Sequence, residues 1–227
     1  MITNIKLALF DLDGTLVHSA PDLAAAVNAT LDQLGKPVYI ESTIVQWVGN
    51  GAQRLLKRAL TGQVDGEPDA EELAHATPIF LQHYEQNLSN ATTIYPGVEQ
   101  ALTVLQDAGI KLACVTNKPG KFTQPLLKKM QLADYFSVIV SGDTLPVLKP
   151  DPAQLLHACE QLGAPARYAA DYGVMVGDSA NDILAAAAIN MPSVAMSYGY
   201  SQGVDLKQQG ATHIIDNMME LIPLLDL

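Results

Sequence analysis

The residues best equipped for chemistry lie in Asp11-Leu12-Asp13-Gly14-Thr15-Leu16, directly after the apolar run Ile5-Lys6-Leu7-Ala8-Leu9-Phe10. The run reads as a buried strand, and it delivers two carboxylates into a glycine-containing turn. Two acids this close repel, and a carboxylate is costly to desolvate without a cation beside it. Oxygen ligands at a strand end suit a hard divalent ion such as Mg²⁺. An Asp-x-Asp-Gly stretch can also be a plain turn. A calcium loop is excluded, because its sixth and twelfth positions fall on Leu16 and Asp22 instead of Gly and Glu.

Three further signals follow three later apolar runs. Thr116-Asn117 comes after Lys111–Val115, Lys149-Pro150 comes a few residues after 137–140, and Gly177-Asp178-Ser179-Ala180-Asn181-Asp182 comes after 173–176. Each has a plain structural explanation: a polar helix-entry loop, a solvated lysine, and a capping box formed by Ser179 and Asp182. Together they supply a nucleophilic carboxylate, a second acid, a hydroxyl, an amine and further carboxylates. Those are the parts of a phosphoryl-transfer site.

The elements that must bring these signals together are short apolar strands alternating with helical stretches. Candidate strands are 5–10, 111–115, 137–140, 173–176, 193–196 and 212–215. Helices are predicted near 97–108, 120–131, 152–162, 180–189 and 217–225. This alternation predicts a Rossmann-like α/β fold, a parallel sheet with helices on both faces, whose ligands bind beyond the carboxyl ends of the strands. The pattern breaks over 17–93, where helices are predicted at 21–34, 51–61 and 69–88 with no convincing strand. The chain is therefore read as a core of 1–16 and 94–227 with a helical domain, 17–93, inserted into it.

At 227 residues the chain is long enough for such a core and insertion. Its net charge of −11 repels nucleic-acid phosphates and excludes general nucleic-acid binding. Cys114 and Cys159 lie in apolar or helical runs and are expected to fill the core. No stretch has the length of a membrane span or the form of a secretory leader, so a cytoplasmic protein without membrane association is expected. A monomer or homodimer is expected.

The four signals, in this order and spread over nearly the whole chain, resemble the haloacid dehalogenase superfamily, and the 17–93 insertion resembles its helical cap. Ser19-Ala20-Pro21-Asp22-Leu23 and Tyr95-Pro96-Gly97-Val98 are similar to its phosphoglycolate phosphatase branch, with His18 where that branch commonly has Asp. The resemblance implies a phosphomonoesterase acting on a small phosphorylated metabolite, 2-phosphoglycolate above others. It also implies roles. Asp11 is the nucleophile that becomes an aspartyl-phosphate, and Asp13 is the acid and base for leaving group and water. Mg²⁺ is held by Asp11, the Asp13 main-chain carbonyl and Asp178. Thr116 and Lys149 hold phosphoryl oxygens, Asn117 adds a backbone N–H, and Asp182 orients Lys149 or a metal-bound water.

An acid at position 13 suits an alkoxide leaving group, which needs a proton, and not a halide. For the substrate's own carboxylate, Arg54, near the helix start Gly49-Asn50-Gly51, is the candidate partner. His18 either faces the same cleft or packs at the hinge. Two rival readings are a sugar-phosphate phosphatase or β-phosphoglucomutase-like mutase of the same superfamily, and a phospho-acceptor signalling module. The second has no use for a large insertion.

Overall fold

The structure, a computed structural model, describes residues 1–165 and 168–226. Six parallel strands form one sheet in the order β5-β4-β1-β6-β7-β8. They are β1 (Leu7–Phe10), β4 (Lys111–Val115), β5 (Val138–Val140), β6 (Gly173–Gly177), β7 (Ser193–Met196) and β8 (His213–Ile215). All four residues of β1 are buried, because the strand lies between β4 and β6 with both faces covered. Strand order reverses at β1, since β4 and β5 lie on one side and β6 to β8 on the other. The crevice beyond the carboxyl end of β1 is thus the topological switch point, where ligands bind in open α/β sheets.

Helices α5 (Val98–Asp107), α6 (Gly120–Lys129), α7 (Ala153–Gln161), α8 (Ala169–Tyr172) and α9 (Ala180–Ala187) connect the strands. Among the described residues, the two largest hydrophobic clusters lie against the sheet. One includes Ala8, Phe10, Leu102, Cys114 and Val176, and the other includes Leu7, Leu9, Leu155, Cys159 and Met175. Adjacent residues of β1 enter different clusters, as the two-residue period of a strand requires. Both cysteines are free and buried. The segment predicted as a last helix near 217–225 is a 3₁₀ helix, Met218–Leu224, with Pro223 inside it.

Between β1 and β4 the chain makes α1 (Ala20–Gln33), α2 (Glu41–Val45), α3 (Ala52–Thr61) and α4 (Ala70–Gln86), which pack on one another. Sequence reasoning located α1, α3 and α4 but not the five-residue α2. It also found no strand here, whereas the insertion is joined to the core through a short antiparallel pair, β2 (Val17–His18) with β3 (Thr93–Ile94). Two residues per strand are too few to show a period. His18 packs at this junction, with Nδ1 2.9 Å from the Tyr200 hydroxyl and 3.3 Å from that of Tyr95.

The junction is clamped by Asp22 in the first turn of α1. This buried carboxylate accepts from the backbone N–H groups of Ala91 and Thr92 and from the Thr92 hydroxyl. Outgoing and returning chains are thereby fastened to one side chain. Asp22→Ala leaves three donors unpaired and should lower the free energy of unfolding by about 2–3 kcal/mol in urea titrations. A loss below about 0.5 kcal/mol would place Asp22 among ordinary surface positions.

Candidate active site

All four sequence signals reach the carboxyl edge of the sheet. The Asp11 N–H donates to the Val176 carbonyl, and the Thr116 N–H to the Val140 carbonyl. Each loop thus leaves its strand tied to the neighbouring one. The side chains of Asp11, Thr116, Lys149, Asp178 and Asp182 are all buried. Such a collection of ionisable groups survives burial only by mutual pairing or with a bound ion.

Lys149 sits behind the nucleophile candidate. Its ammonium donates to Asp182 Oδ1 at 2.6 Å and to the Val115 carbonyl at 2.6 Å, and it lies 3.0 Å from Asp11 Oδ1. Burial alone would pull the ammonium's pKa down, but Asp11 and Asp182 outweigh it and hold the group above the usual lysine range. The peptide bond between Lys149 and Pro150 is cis. The carboxamide of Asn117 fixes this loop by donating to the Lys149 carbonyl and accepting from the Lys149 N–H.

Three carboxylates, Asp11, Asp178 and Asp182, offer oxygens all within 4.8 Å of one another. Their other contacts separate them. Asp182 accepts from Lys149 on one oxygen and from the Ser179 N–H and hydroxyl on the other, and it completes the capping box that opens α9. Its acceptor capacity is largely committed. Asp178 accepts from the Thr15 hydroxyl and the Tyr200 N–H, both at 2.6 Å. Asp11 Oδ1 is buried and accepts no well-directed hydrogen bond, despite its proximity to Lys149.

Burial, opposed by Lys149 and reinforced by Asp182 and Asp13, pushes the Asp11 carboxyl up to about 6. Burial and the charges of Asp11 and Asp182 hold Asp178 well above the ordinary carboxylate range. An orphaned buried oxygen among mutually repelling acids is an environment that a divalent cation satisfies, so the residues present fit one. Gly14, at φ +90°, is required here, because a Cβ would fall 2.2 Å from Asp178 Oδ2.

Asp13 faces a different partner. Both of its carboxylate oxygens accept from Lys118 Nζ, at 3.0 and 2.9 Å, and Oδ1 accepts from the Ser19 hydroxyl at 2.5 Å. The Lys118 ammonium also donates to the hydroxyl of Tyr84 on α4. Ser19 was read only as part of a family-like segment, and Lys118 and Tyr84 escaped the sequence reading. Only Lys118 carried a signal, as a cation immediately after Thr116-Asn117 and before Pro119.

Asp11, Asp13, Thr116, Asn117 and Lys118 line a cavity of about 30 Å³, closed from the other side by Leu23, Val48, Gly49, Gly51, Ala52, Leu55 and Tyr84 of the insertion. Two side chains of the core hold that closing loop, Asn181 donating to the Gly49 carbonyl and Gln202 to the Val48 carbonyl. Arg54 is not brought to the cavity. Its guanidinium is engaged by Glu67, Asp65 and the Val64 carbonyl, beside an adjoining groove that shares Gly51, Ala52, Asn117 and Pro119 with the cavity. Lys57 also pairs with Glu67, and Arg58 donates to the Trp47 and Val64 carbonyls.

A buried carboxylate with a free oxygen, an acid two residues beyond, and ammonium groups on either side form a site suited to displacement at an anionic centre. The family model of haloacid dehalogenase-like hydrolases matches residues 5–190, so the chain belongs to that family of hydrolases. Among similar proteins, the phosphoglycolate phosphatase of Nitrosococcus oceani is 43% identical over 225 residues, covering 99% of this chain and 98% of its own. That of Colwellia psychrerythraea is 46% identical over 219 residues, covering 96% and 95%. A crystal structure described as a predicted phosphoglycolate phosphatase from Haemophilus somnus superposes with a TM-score of 0.89 at 35% identity, covering 99% of both chains. No helix among the described residues is long and apolar enough to cross a membrane.

The raised Asp11 carboxyl sets a pH test. Without metal, the folded protein holds an extra proton between the ordinary carboxylate pKa of 3.8 and about 6, so this group's contribution to stability falls as pH rises through that window. A divalent cation competes with that proton. Magnesium chloride at a hundredfold excess over its Kd, added to chelator-treated protein at pH 8, should raise the melting temperature by about 5–11 °C. At pH 5 the same addition should raise it less. An equal rise at both values would separate cation binding from these carboxylates.

Proposed function

We propose that this hydrolase is a Mg²⁺-dependent phosphomonoesterase that converts 2-phosphoglycolate to glycolate and phosphate through an aspartyl-phosphate. The observation that carries the proposal is the pairing within one cavity of Asp11, with an uncommitted buried oxygen, and Asp13, two residues on. The names of relatives at 43–46% identity over nearly the whole chain support the substrate.

In this reading an Asp11 carboxylate oxygen attacks phosphorus and forms an O–P bond, while the ester P–O bond opposite breaks. Asp13 donates its proton to the departing alkoxide oxygen. Water then attacks the aspartyl-phosphate, gives a proton to Asp13, releases inorganic phosphate and regenerates Asp11. Lys149 and Thr116 hold phosphoryl oxygens, Asn117 braces the Lys149 loop and adds a backbone N–H, and Asp182 keeps the Lys149 ammonium aimed. Asp11, Asp178 and the Asp13 carbonyl would hold Mg²⁺, which would supply positive charge to offset that of the phosphoryl group.

Residues 17–93 act as a cap in this proposal. A cavity of about 30 Å³ has room for about two water molecules, less than a phosphate ester needs. Substrate entry therefore requires the cap to move, which breaks the hydrogen bonds of Asn181 to Gly49 and of Gln202 to Val48, with the short β2–β3 pairing as the pivot. The charges of Arg54 are met by acidic neighbours on the cap surface, so any contact of Arg54 with substrate belongs to an arrangement in which Glu67 lets go.

The decisive experiment compares kcat/KM for 2-phosphoglycolate with a panel of metabolite monoesters that includes hexose phosphates. A dominant preference for 2-phosphoglycolate is expected, and a preference for hexose phosphates would transfer the assignment to sugar-phosphate chemistry. Asp11→Asn should lower kcat by roughly a thousandfold or more while the circular-dichroism spectrum is retained. Turnover within tenfold of the parent would remove Asp11 as nucleophile.

A further inference from the structure

We infer that Lys118 and Tyr84 form the subsite that recognises the substrate's carboxylate, one half contributed by the core and the other by the cap. The inference rests on the phosphatase reading above and assigns the specificity that the reading leaves open.

Position comes first. Whatever leaving oxygen Asp13 protonates must lie within hydrogen-bond distance of an Asp13 oxygen, about 2.6–3.2 Å. Lys118 Nζ lies 2.9 and 3.0 Å from those same oxygens. In a phosphoryloxy-acetate skeleton the carboxylate carbon is two bonds from the leaving oxygen. A substrate seated for attack by Asp11 thus carries its carboxylate into the neighbourhood of Lys118.

Competition for the role is thin. Lys118 is the sole lysine or arginine among the described residues lining the cavity. Lys149, behind Asp11, is held by Asp182, Asp11 and the Val115 carbonyl. Arg54 and Lys57 are neutralised by Glu67 on the cap surface.

The hydrogen bonding of the pair points the same way. An ammonium has three donors, and those of Lys118 go to the two Asp13 oxygens and the Tyr84 hydroxyl. Because Lys118 can only donate to it, Tyr84 is left with its own O–H proton lacking an acceptor among the described residues. Both side chains are almost fully buried. A carboxylate entering the cavity accepts the third Lys118 donor and the Tyr84 proton together, replacing an underused contact with two charge-assisted ones. Lys118 stands in the loop after β4 and Tyr84 on α4, so the subsite is complete only with the cap closed. An ester without the carboxylate offers no acceptor to either group.

The test is a ratio: kcat/KM for 2-phosphoglycolate divided by kcat/KM for ethyl phosphate, which has a methyl group where the carboxylate stands. In Lys118→Met this ratio should fall roughly 10- to 100-fold, mainly through KM for 2-phosphoglycolate, and Lys118→Arg should recover part of it. Tyr84→Phe, which keeps the ring and the packing, should lower the ratio by about tenfold. If either variant loses activity on both esters in equal proportion, the pair merely positions Asp13 or the cap, and the inference is overturned. A parent enzyme whose ratio is near one fails earlier and differently, because it removes 2-phosphoglycolate as substrate before any variant is made.

Discussion

The structure depends on balancing charge inside a buried crevice. Asp11, Asp13, Asp178 and Asp182 converge at the end of one parallel sheet, and two ammonium groups, Lys118 and Lys149, face them. Four carboxylates against two lysines leave an excess of two negative charges, the amount one divalent cation cancels. The two lysines divide the acids between them. Lys149 joins Asp11 to Asp182, and Lys118 holds Asp13. Asp11 and Asp13 therefore lie in separate ion pairs although they are two residues apart in sequence. Replacing one partner of such a pair leaves an uncompensated buried charge, which costs more than the pair itself contributes.

Backbone architecture makes this concentration of charge tolerable. Side chains such as Thr15, Ser19 and Ser179 donate to the carboxylates, and so does the Tyr200 N–H. Gly14 brings its turn close to Asp178 because it lacks a Cβ. The insertion adds a roof with apolar lining, Leu23, Val48 and Leu55, which lowers the local dielectric and strengthens every ionic contact beneath it. In the proposed function, reactivity and selectivity are thus carried by different parts of the chain: the sheet edge supplies the groups for phosphoryl chemistry, and the loop–helix contact between Lys118 and Tyr84 carries the inferred preference for an acid.

The convergence of the four signals at one sheet edge was legible in sequence because each follows a short apolar run, and a parallel sheet converts such adjacency into proximity. Ser179 and Asp182 were readable as a capping box, and the box is present. Asp182 combines that duty with its contact to Lys149, which local spacing could not reveal. The two-residue strands at the junction escaped because they are too short to have a period. The C-terminal segment kept its apolar spacing but winds as a 3₁₀ helix. Arg54 and Lys118 show the limit most sharply. Both are cations near glycine or proline in polar loops or helix starts, and their difference lies in distant acids: Glu67 takes one and Asp13 the other. Pairing across long sequence separations is not written in either local segment.

The position of β1 at the middle of the sheet also governs how the molecule is made. Its register partners begin at Lys111 on one side and Gly173 on the other. On a translating ribosome, at about 5–20 residues per second, this greasy ribbon waits on the order of ten seconds for its first neighbour and longer for its second. The intervening helices contact one another and can associate meanwhile, before the strands on either side of β1 have been made. During that interval Leu7–Phe10 is an unpaired apolar edge, the kind of segment that holdase chaperones shield and that aggregates if left bare.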